Sequence, residues 1–268
     1  MIPFLHFGPV EVPTFGLMVA CAMLIAFYVL RADMARRNLA PKDSSTAEMF
    51  VAVPSLVGIV GAKLYHVLET PRELFADPAG QLFSRYGLAW FGGLIAGLAA
   101  FVWLAKWKKI PLLEMFDAGS AAAALGYGIG RIGCLLAGDG DYGINTTLPW
   151  GVHMAKNALV PPTPPTALVQ PTPIYELLFS LALFWLLWQL GRKSLPVGWL
   201  TGFYLVVSGI GRFLVEFVRI NPKIYFHGTL SNAQVAAAAS SIAGLMILAL
   251  AQAKHVQWAP RLVAEPRS

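Results

Sequence analysis

The sequence predicts an all-α polytopic membrane protein, with seven transmembrane helices and a small extracytoplasmic head or arm region. Three observations carry that expectation. The 268 residues are 57% hydrophobic and only 13% charged, whereas soluble chains carry roughly 25% charged residues. Mean hydropathy is +0.61, and apolar runs long enough to cross a hydrocarbon core about 30 Å thick recur from end to end. Basic residues also alternate in density between successive connections. With only two cysteines, Cys21 and Cys134, a disulfide scaffold is excluded. The apolar content excludes disorder.

The spans are expected at about 13–30, 47–68, 87–105, 112–137, 174–190, 197–218 and 229–252, within a single transmembrane domain over 1–268. Tyr86–Ala105 and Gly228–Ala253 carry no charge. Gly and Pro recur throughout, as membrane helices tolerate. The first span is followed by Arg31, Arg36, Arg37 and Lys42, and the third by Lys106, Lys108 and Lys109. Arg192 and Lys193 follow the fifth, while Lys254, Arg261 and Arg267 lie in the tail. These are twelve of the 20 Lys and Arg; the opposite side has Arg72, Arg85, Lys156, Arg219 and Lys223, with more acids among them. The positive-inside rule then predicts an external N-terminus and a cytoplasmic C-terminus. The net charge of +6 therefore reads as topology, and no nucleic-acid partner is expected.

Residues 1–12 lack a basic n-region, so no cleavable signal peptide is expected. Residues 138–172 form the sizeable exterior loop, rich in proline (149, 161, 162, 164, 165, 171) with Trp150 among them. A loop of this length is usually functional. A head or arm inserted between spans four and five is expected, the alternative being a floppy linker.

Gly128-Ile-Gly130-Arg131-Ile-Gly133 formally matches a dinucleotide fingerprint, but it lies inside a span and lacks the βαβ context that the motif needs. Arg131 is the informative residue, because charge within a span marks function by default. Gly-Ile-Gly-Arg occurs at 128–131 and again at 209–212. At about 1.5 Å per residue from Pro111 and Pro196, Arg131 lies roughly 30 Å up and Arg212 roughly 24 Å up. Lys63 comes out at similar height, Glu176 opens the fifth span, and Glu216 follows Arg212 at i+4 on one helical face. Snorkelling to the interface would explain one such arginine. Two after the same tetrapeptide, with carboxylates nearby, point to an anion site for a phospholipid headgroup, since guanidinium forks bind phosphate bidentately. The glycines would let a headgroup or a neighbouring helix approach closely. Cys21 and Cys134 are expected to be packing residues.

Residues 130–143, Gly-Arg-Ile-Gly-Cys-Leu-Leu-Ala-Gly-Asp-Gly-Asp-Tyr-Gly, resemble the signature of prolipoprotein diacylglyceryl transferases, bacterial membrane enzymes that lipidate lipoprotein precursors. Further patches agree in order. Phe15-Gly-Leu-Met18 is similar to the family's first-span motif, and Gly92-Gly-Leu-Ile95 to its third-span motif. Pro171-Thr-Pro-Ile-Tyr175-Glu176 is similar to its P-x-x-x-Y-E segment, and Gly211-Arg212-Phe-Leu-Val-Glu216-Phe-Val-Arg219 to its sixth-span motif. Asn232-Ala-Gln234 sits where the family has a short polar start to its last span. The chain departs from the pattern where Phe15 replaces a tyrosine and Phe91 a histidine. Cys134 and Ala137 replace an asparagine pair, and Asp139 a glutamate.

The resemblance implies transfer of the diacylglyceryl group of phosphatidylglycerol to the thiol of a lipobox cysteine, giving a thioether and glycerol phosphate. It also implies a bacterial cytoplasmic (inner) membrane, with membrane lipid and the prolipoprotein signal-peptide segment as partners. Arg131 and Arg212 would meet the phosphate, with Lys63, Asp141, Tyr175, Glu176, Glu216 and Arg219 as substrate-binding residues. No cofactor or metal is expected. A thiol near pKa 8.5 needs a proton acceptor, and Phe91 cannot serve. Transfer to an ordinary aspartate costs roughly 6 kcal/mol, and to a histidine under about 3 kcal/mol. The candidates at the right depth are His66 and Asp139 or Asp141; on these magnitudes His66 is expected as base, with Asp139 as a structural or orienting carboxylate. Three alternatives stand beside this reading: a lipid-binding relative without activity, a transferase with a different acceptor, and a small-anion transporter. Against the last, seven spans do not halve, and both arginines lie near one surface rather than at the midplane.

Overall fold

The computed structural model describes residues 1–39, 45–84, 87, 89–154, 158–164 and 166–254. Lys42, Arg85, Lys156, Arg261 and Arg267 of the charge pattern, and Pro165 of the head loop, lie outside the described residues. Seven helices among those described are long and apolar enough to cross a membrane. They are α1 (Thr14–Arg36), α2 (Ser45–Glu69), α5 (Trp90–Trp107), α6 (Leu112–Ala137), α7 (Thr172–Leu190), α8 (Trp199–Val215) and α9 (Asn232–Lys254). The short helices α3 (Pro71–Ala76) and α4 (Pro78–Phe83) follow α2, and a 3-10 turn at Glu216–Val218 prolongs α8. Small antiparallel pairs complete the chain: β1–β2 (Phe4–Phe7, Val10–Pro13), β3–β4 (Val152–His153, Leu168–Val169) and β5–β6 (Lys223–Tyr225, Leu230–Ser231).

Each expected span coincides with one of these helices, with shifted ends. The first helix runs to Arg36 rather than 30, because Arg and Met favour helix; Asn38 in the left-handed region (φ 54°) then ends it, with the Leu39 amide donating to Met34 O at 3.0 Å. The third and seventh begin three residues late, at Trp90 and Asn232. Ala89 is extended, and Leu230–Ser231 are held in a strand.

The chain divides into two compact units. The unit Met34–Met115 is built on α2 and α5, packed antiparallel through glycines. A Cβ on Gly61 would sit 2.2 Å from Ala96 Cβ and 2.8 Å from the Gly92 carbonyl oxygen. Glycine is thus required by the close approach of two backbones, the usual device where lipid supplies no hydrophobic drive between helices. Gly61→Ala is expected to cost about 1–3 kcal/mol by overpacking. Gly58→Ala, whose Cβ would meet the Gly93 carbonyl at 3.2 Å, should cost less. Thermal unfolding in detergent checks this, and equal melting of both variants and wild type would refute it. At the same end of this unit, Lys63 donates to Ser84 Oγ at 2.8 Å and to its carbonyl at 3.2 Å. The His66 imidazole lies against Gly87, where a Cβ would come within 2.2 Å of its Nε2.

The other unit comprises Met1–Asp33 and the chain from Phe116 onward. Its interior holds Ala121, Ala124, Leu183, Leu187 and Leu200, covered by aromatic residues of α7 and α8. Buried Asp117 of α6 caps α8, accepting from Gly198 N at 2.7 Å, Thr201 N at 2.8 Å and Thr201 Oγ1 at 2.6 Å. α8 and α9 lie as close as the glycine pair above: a Cβ on Gly202 would fall 2.8 Å from the Gly244 carbonyl. The proline-rich 138–172 segment is packed rather than free. Tyr142, Met154 and Val169 form a small core against Met1, Val152 and Ala167.

Candidate functional site

The ends of α6, α7 and α8 meet the loop that follows α6, and the charged residues predicted there converge. Asp141 is the junction. One of its carboxylate oxygens accepts from Arg131 Nη1 and the other from Arg219 Nη2. Glu176, in the first turns of α7, lies 3.3 Å from both Arg131 Nε and Arg219 Nη1, and 3.8 Å from Arg212 Nη1. Glu216 takes the i+4 position against Arg212 at 2.6 Å and also meets Arg219 Nε at 3.5 Å. Three guanidiniums therefore balance three carboxylates, two of which, Glu176 and Glu216, are 5% and 1% exposed. Buried charge of this kind persists only when paired, and removing one partner strands the other.

The local fold explains how residues so distant in sequence meet. The stretch after α6 turns back at Gly138 and Gly140, both with positive φ, and Gly143 bridges to Arg219 as an isolated antiparallel pair. A Cβ on Gly143 would lie 2.3 Å from the Val218 carbonyl oxygen, so only glycine allows that contact. Thr172 Oγ1, at the start of α7, donates to the Asp141 carbonyl at 2.5 Å. Behind Glu216, Ser231 Oγ and Asn221 Nδ2 each donate to its Oε1 at 2.7 Å, and the Gln234 side chain accepts from Ser231 N at 3.0 Å.

The two repeated arginines are not equivalent. Arg131 is committed on all sides: Nη1 to Asp141, Nη2 to the Tyr127 hydroxyl at 2.8 Å, and its plane over the Tyr127 ring, with Cζ 4.6 Å from the centroid. The Arg212 guanidinium makes charge contacts but no hydrogen bond to a described residue, and its buried Nη1 is without one. Three of the four tetrapeptide glycines serve helix packing: Gly128 against Ser180, Gly209 against Ala237 and Ser241, Gly211 against the Phe179 ring. Gly130 has open space where a Cβ would stand.

Asp139 lies beside Asp141, whose amide donates to Asp139 Oδ1 at 3.2 Å. Burial and the Asp141 charge push the Asp139 carboxyl above the usual aspartate range. Burial acts on Asp141 in the same sense, but Arg219 and Arg131 outweigh it and hold that carboxyl below the usual range. For Arg219, the pull of Asp141 and Glu176 more than offsets burial, so its pKa is raised. Cys134 is buried, as a packing residue would be, yet its Sγ also accepts from Arg131 Nη1 at 3.7 Å. The ligand atoms of Cys134, Asp139 and Asp141 lie within 4.8 Å of one another, a span that a cation could bridge. Both Asp141 oxygens are already engaged by guanidiniums, however, which disfavours a second cation there.

Tyr175 does not join the arginine cluster. Its hydroxyl donates to Gln170 Oε1 at 2.8 Å and accepts from Trp150 Nε1 at 2.7 Å, tying α7 to the head loop. Lys63 and His66 belong to the Met34–Met115 unit, where their neighbours are Ser84 and Gly87. Sequence reasoning missed Tyr127, Asn221 and Ser231. The i, i+4 spacing of Tyr127 and Arg131 was the one available signal, since it puts both on one helical face.

Comparison with known proteins shows the family. The sequence model described as prolipoprotein diacylglyceryl transferase matches residues 3–250. A phosphatidylglycerol--prolipoprotein diacylglyceryl transferase of Geobacter sulfurreducens is 30% identical over 219 residues, covering 81% of each chain. Proteins of the same name from Corynebacterium glutamicum and Leifsonia xyli subsp. xyli are each 29% identical. They align over 247 residues (87% of this chain, 77% of theirs) and 273 residues (97% and 79%), respectively. With a match that runs from the first strand almost to the end of the last helix, the chain belongs to the prolipoprotein diacylglyceryl transferase family.

Proposed function

We propose that this protein transfers the diacylglyceryl group of phosphatidylglycerol to the cysteine thiol of a prolipoprotein lipobox, at the outer face of a bacterial cytoplasmic membrane. Family membership favours this over transport. The observation that carries the reading is the Arg212 guanidinium: within the ionic network it makes charge contacts to Glu216 and Glu176 but no hydrogen bond to a described residue. Such a donor suits a phosphate whose charge grows as it departs. In the reaction a sulfur–carbon bond forms at the diacylglyceryl group, the carbon–oxygen bond to phosphate breaks, and glycerol phosphate leaves as a dianion. Arg212 would take that charge. Arg131, Arg219, Asp141, Glu176 and Glu216 would hold the frame around it. The thiol proton goes to Asp139 in this reading, because its raised carboxyl narrows the gap that favoured His66 from intrinsic pKa values alone. Lys63 and Tyr175 are proposed to contact substrate outside the arginine cluster.

Purified protein in detergent, given labelled phosphatidylglycerol and a lipobox peptide, should yield thioether-linked peptide and glycerol phosphate. Binding of lipid without product would instead mark a non-catalytic relative, and product only with other thiols a different acceptor. The proposed orientation has its own test. Thr147, exposed in the head loop, should be labelled as Thr147→Cys by an impermeant thiol reagent applied to spheroplasts. Labelling that requires permeabilisation would invert the topology.

A further inference from the structure

We propose that Tyr127 is a positioning residue of the transfer reaction, fixing Arg131 and Glu176 against each other through one phenol. The proposal rests on the transferase reading above. A tyrosine hydroxyl has one proton to donate and lone pairs to accept with. Here the proton is spent on Glu176 Oε1, while Arg131 Nη2 donates to the same oxygen at 2.8 Å. The direction of both bonds is thereby fixed. The ring adds a second restraint, because the Arg131 guanidinium lies over its face with Cζ 4.6 Å from the centroid. Arg131 is therefore gripped at Nη1 by Asp141, at Nη2 by the phenol and across its plane by the ring.

Glu176 is the carboxylate that Arg131, Arg212 and Arg219 all approach. Fixing its Oε1 fixes the frame beside which Arg212 stands. A donor that must reorient as charge develops contributes less than one already in place. Tyr127 is also 38% exposed, so it is not a core residue whose loss would collapse packing. Its hydrogen bonds, not its volume, are what the site uses.

Tyr127→Phe keeps the ring and removes both hydrogen bonds. With phosphatidylglycerol and a lipobox peptide, kcat should fall about tenfold or more, while KM for the lipid changes less than about threefold and the melting temperature in detergent stays near wild type. Tyr127→Leu, which also loses the stacked ring, should fall further. In a double-mutant cycle, Tyr127→Phe should cost much less on a Glu176→Gln background than in wild type, because the two act as one unit. Wild-type kcat in Tyr127→Phe would overturn the proposal. So would a loss additive with Glu176→Gln that tracks a lowered melting temperature. Absence of transfer by the unsubstituted protein would remove the transferase reading itself, and with it the role given to Tyr127.

Discussion

Arg212→Ala should lower diacylglyceryl transfer by at least about 10²-fold, because one aligned donor to a developing anion is worth about 3 kcal/mol or more. The fold should survive. The Arg212 guanidinium makes no hydrogen bond to a described residue, and Glu216 keeps Arg219, Ser231 and Asn221 as partners. Arg131→Ala should lose as much activity but also destabilise, because it removes hydrogen bonds to Asp141 and the Tyr127 hydroxyl and an ion pair with Glu176, leaving Arg219 as the guanidinium that still meets both carboxylates closely. A buried charge left with no partner at all typically costs about 3–5 kcal/mol, which bounds the loss here from above, since Arg219 still pairs with both carboxylates. Lysine should rescue neither, since a point charge cannot replace the planar fork. Turnover assays paired with thermal unfolding in detergent separate the two effects. Near-normal turnover in Arg212→Ala would remove the phosphate assignment. Identical melting of the two alanine variants would remove the division of labour.

Asp139→Asn is expected to reduce transfer by about 10²-fold or more, the usual contribution of a positioned general base. A base acts only when deprotonated, so the rate should fall as pH drops through the pKa of that group. Burial and Asp141 raise the Asp139 carboxyl, so the acid limb should lie above the ordinary aspartate range, and it should vanish in Asp139→Asn. His66→Ala gives the opposing result. Should the acid limb disappear with His66 and persist without Asp139, the base is the histidine favoured by intrinsic pKa values, and Asp139 merely orients its neighbours. The raised carboxyl should also show in the folded protein itself. Its contribution to stability is fully present at low pH and is lost as pH rises through the folded pKa.

The sequence by itself determined the seven spans, because a hydrocarbon core imposes a length and a polarity that can be counted along the chain. It also put Arg131, Arg212, Lys63, Glu176 and Glu216 at one level; ion pairs join the two arginines to the two glutamates, while Lys63 belongs to the other unit. Intramembrane charge is too costly to be incidental, the two arginines follow the same tetrapeptide, and the i+4 step to Glu216 is a local property of a helix. Only the tertiary structure decided what those charges do to each other. Asp141 pairs with Arg131 and also with Arg219, 78 residues further along the chain, through a loop closed by Gly143 against the Val218 carbonyl. No periodicity reports such a closure. Nor could spacing separate Arg131, gripped by Asp141 and Tyr127, from Arg212, whose donors make no hydrogen bond to a described residue. In the sequence they are the same four letters. Their difference comes from which neighbouring helix ends and loops supply acceptors, and those are set by how α6, α7 and α8 pack.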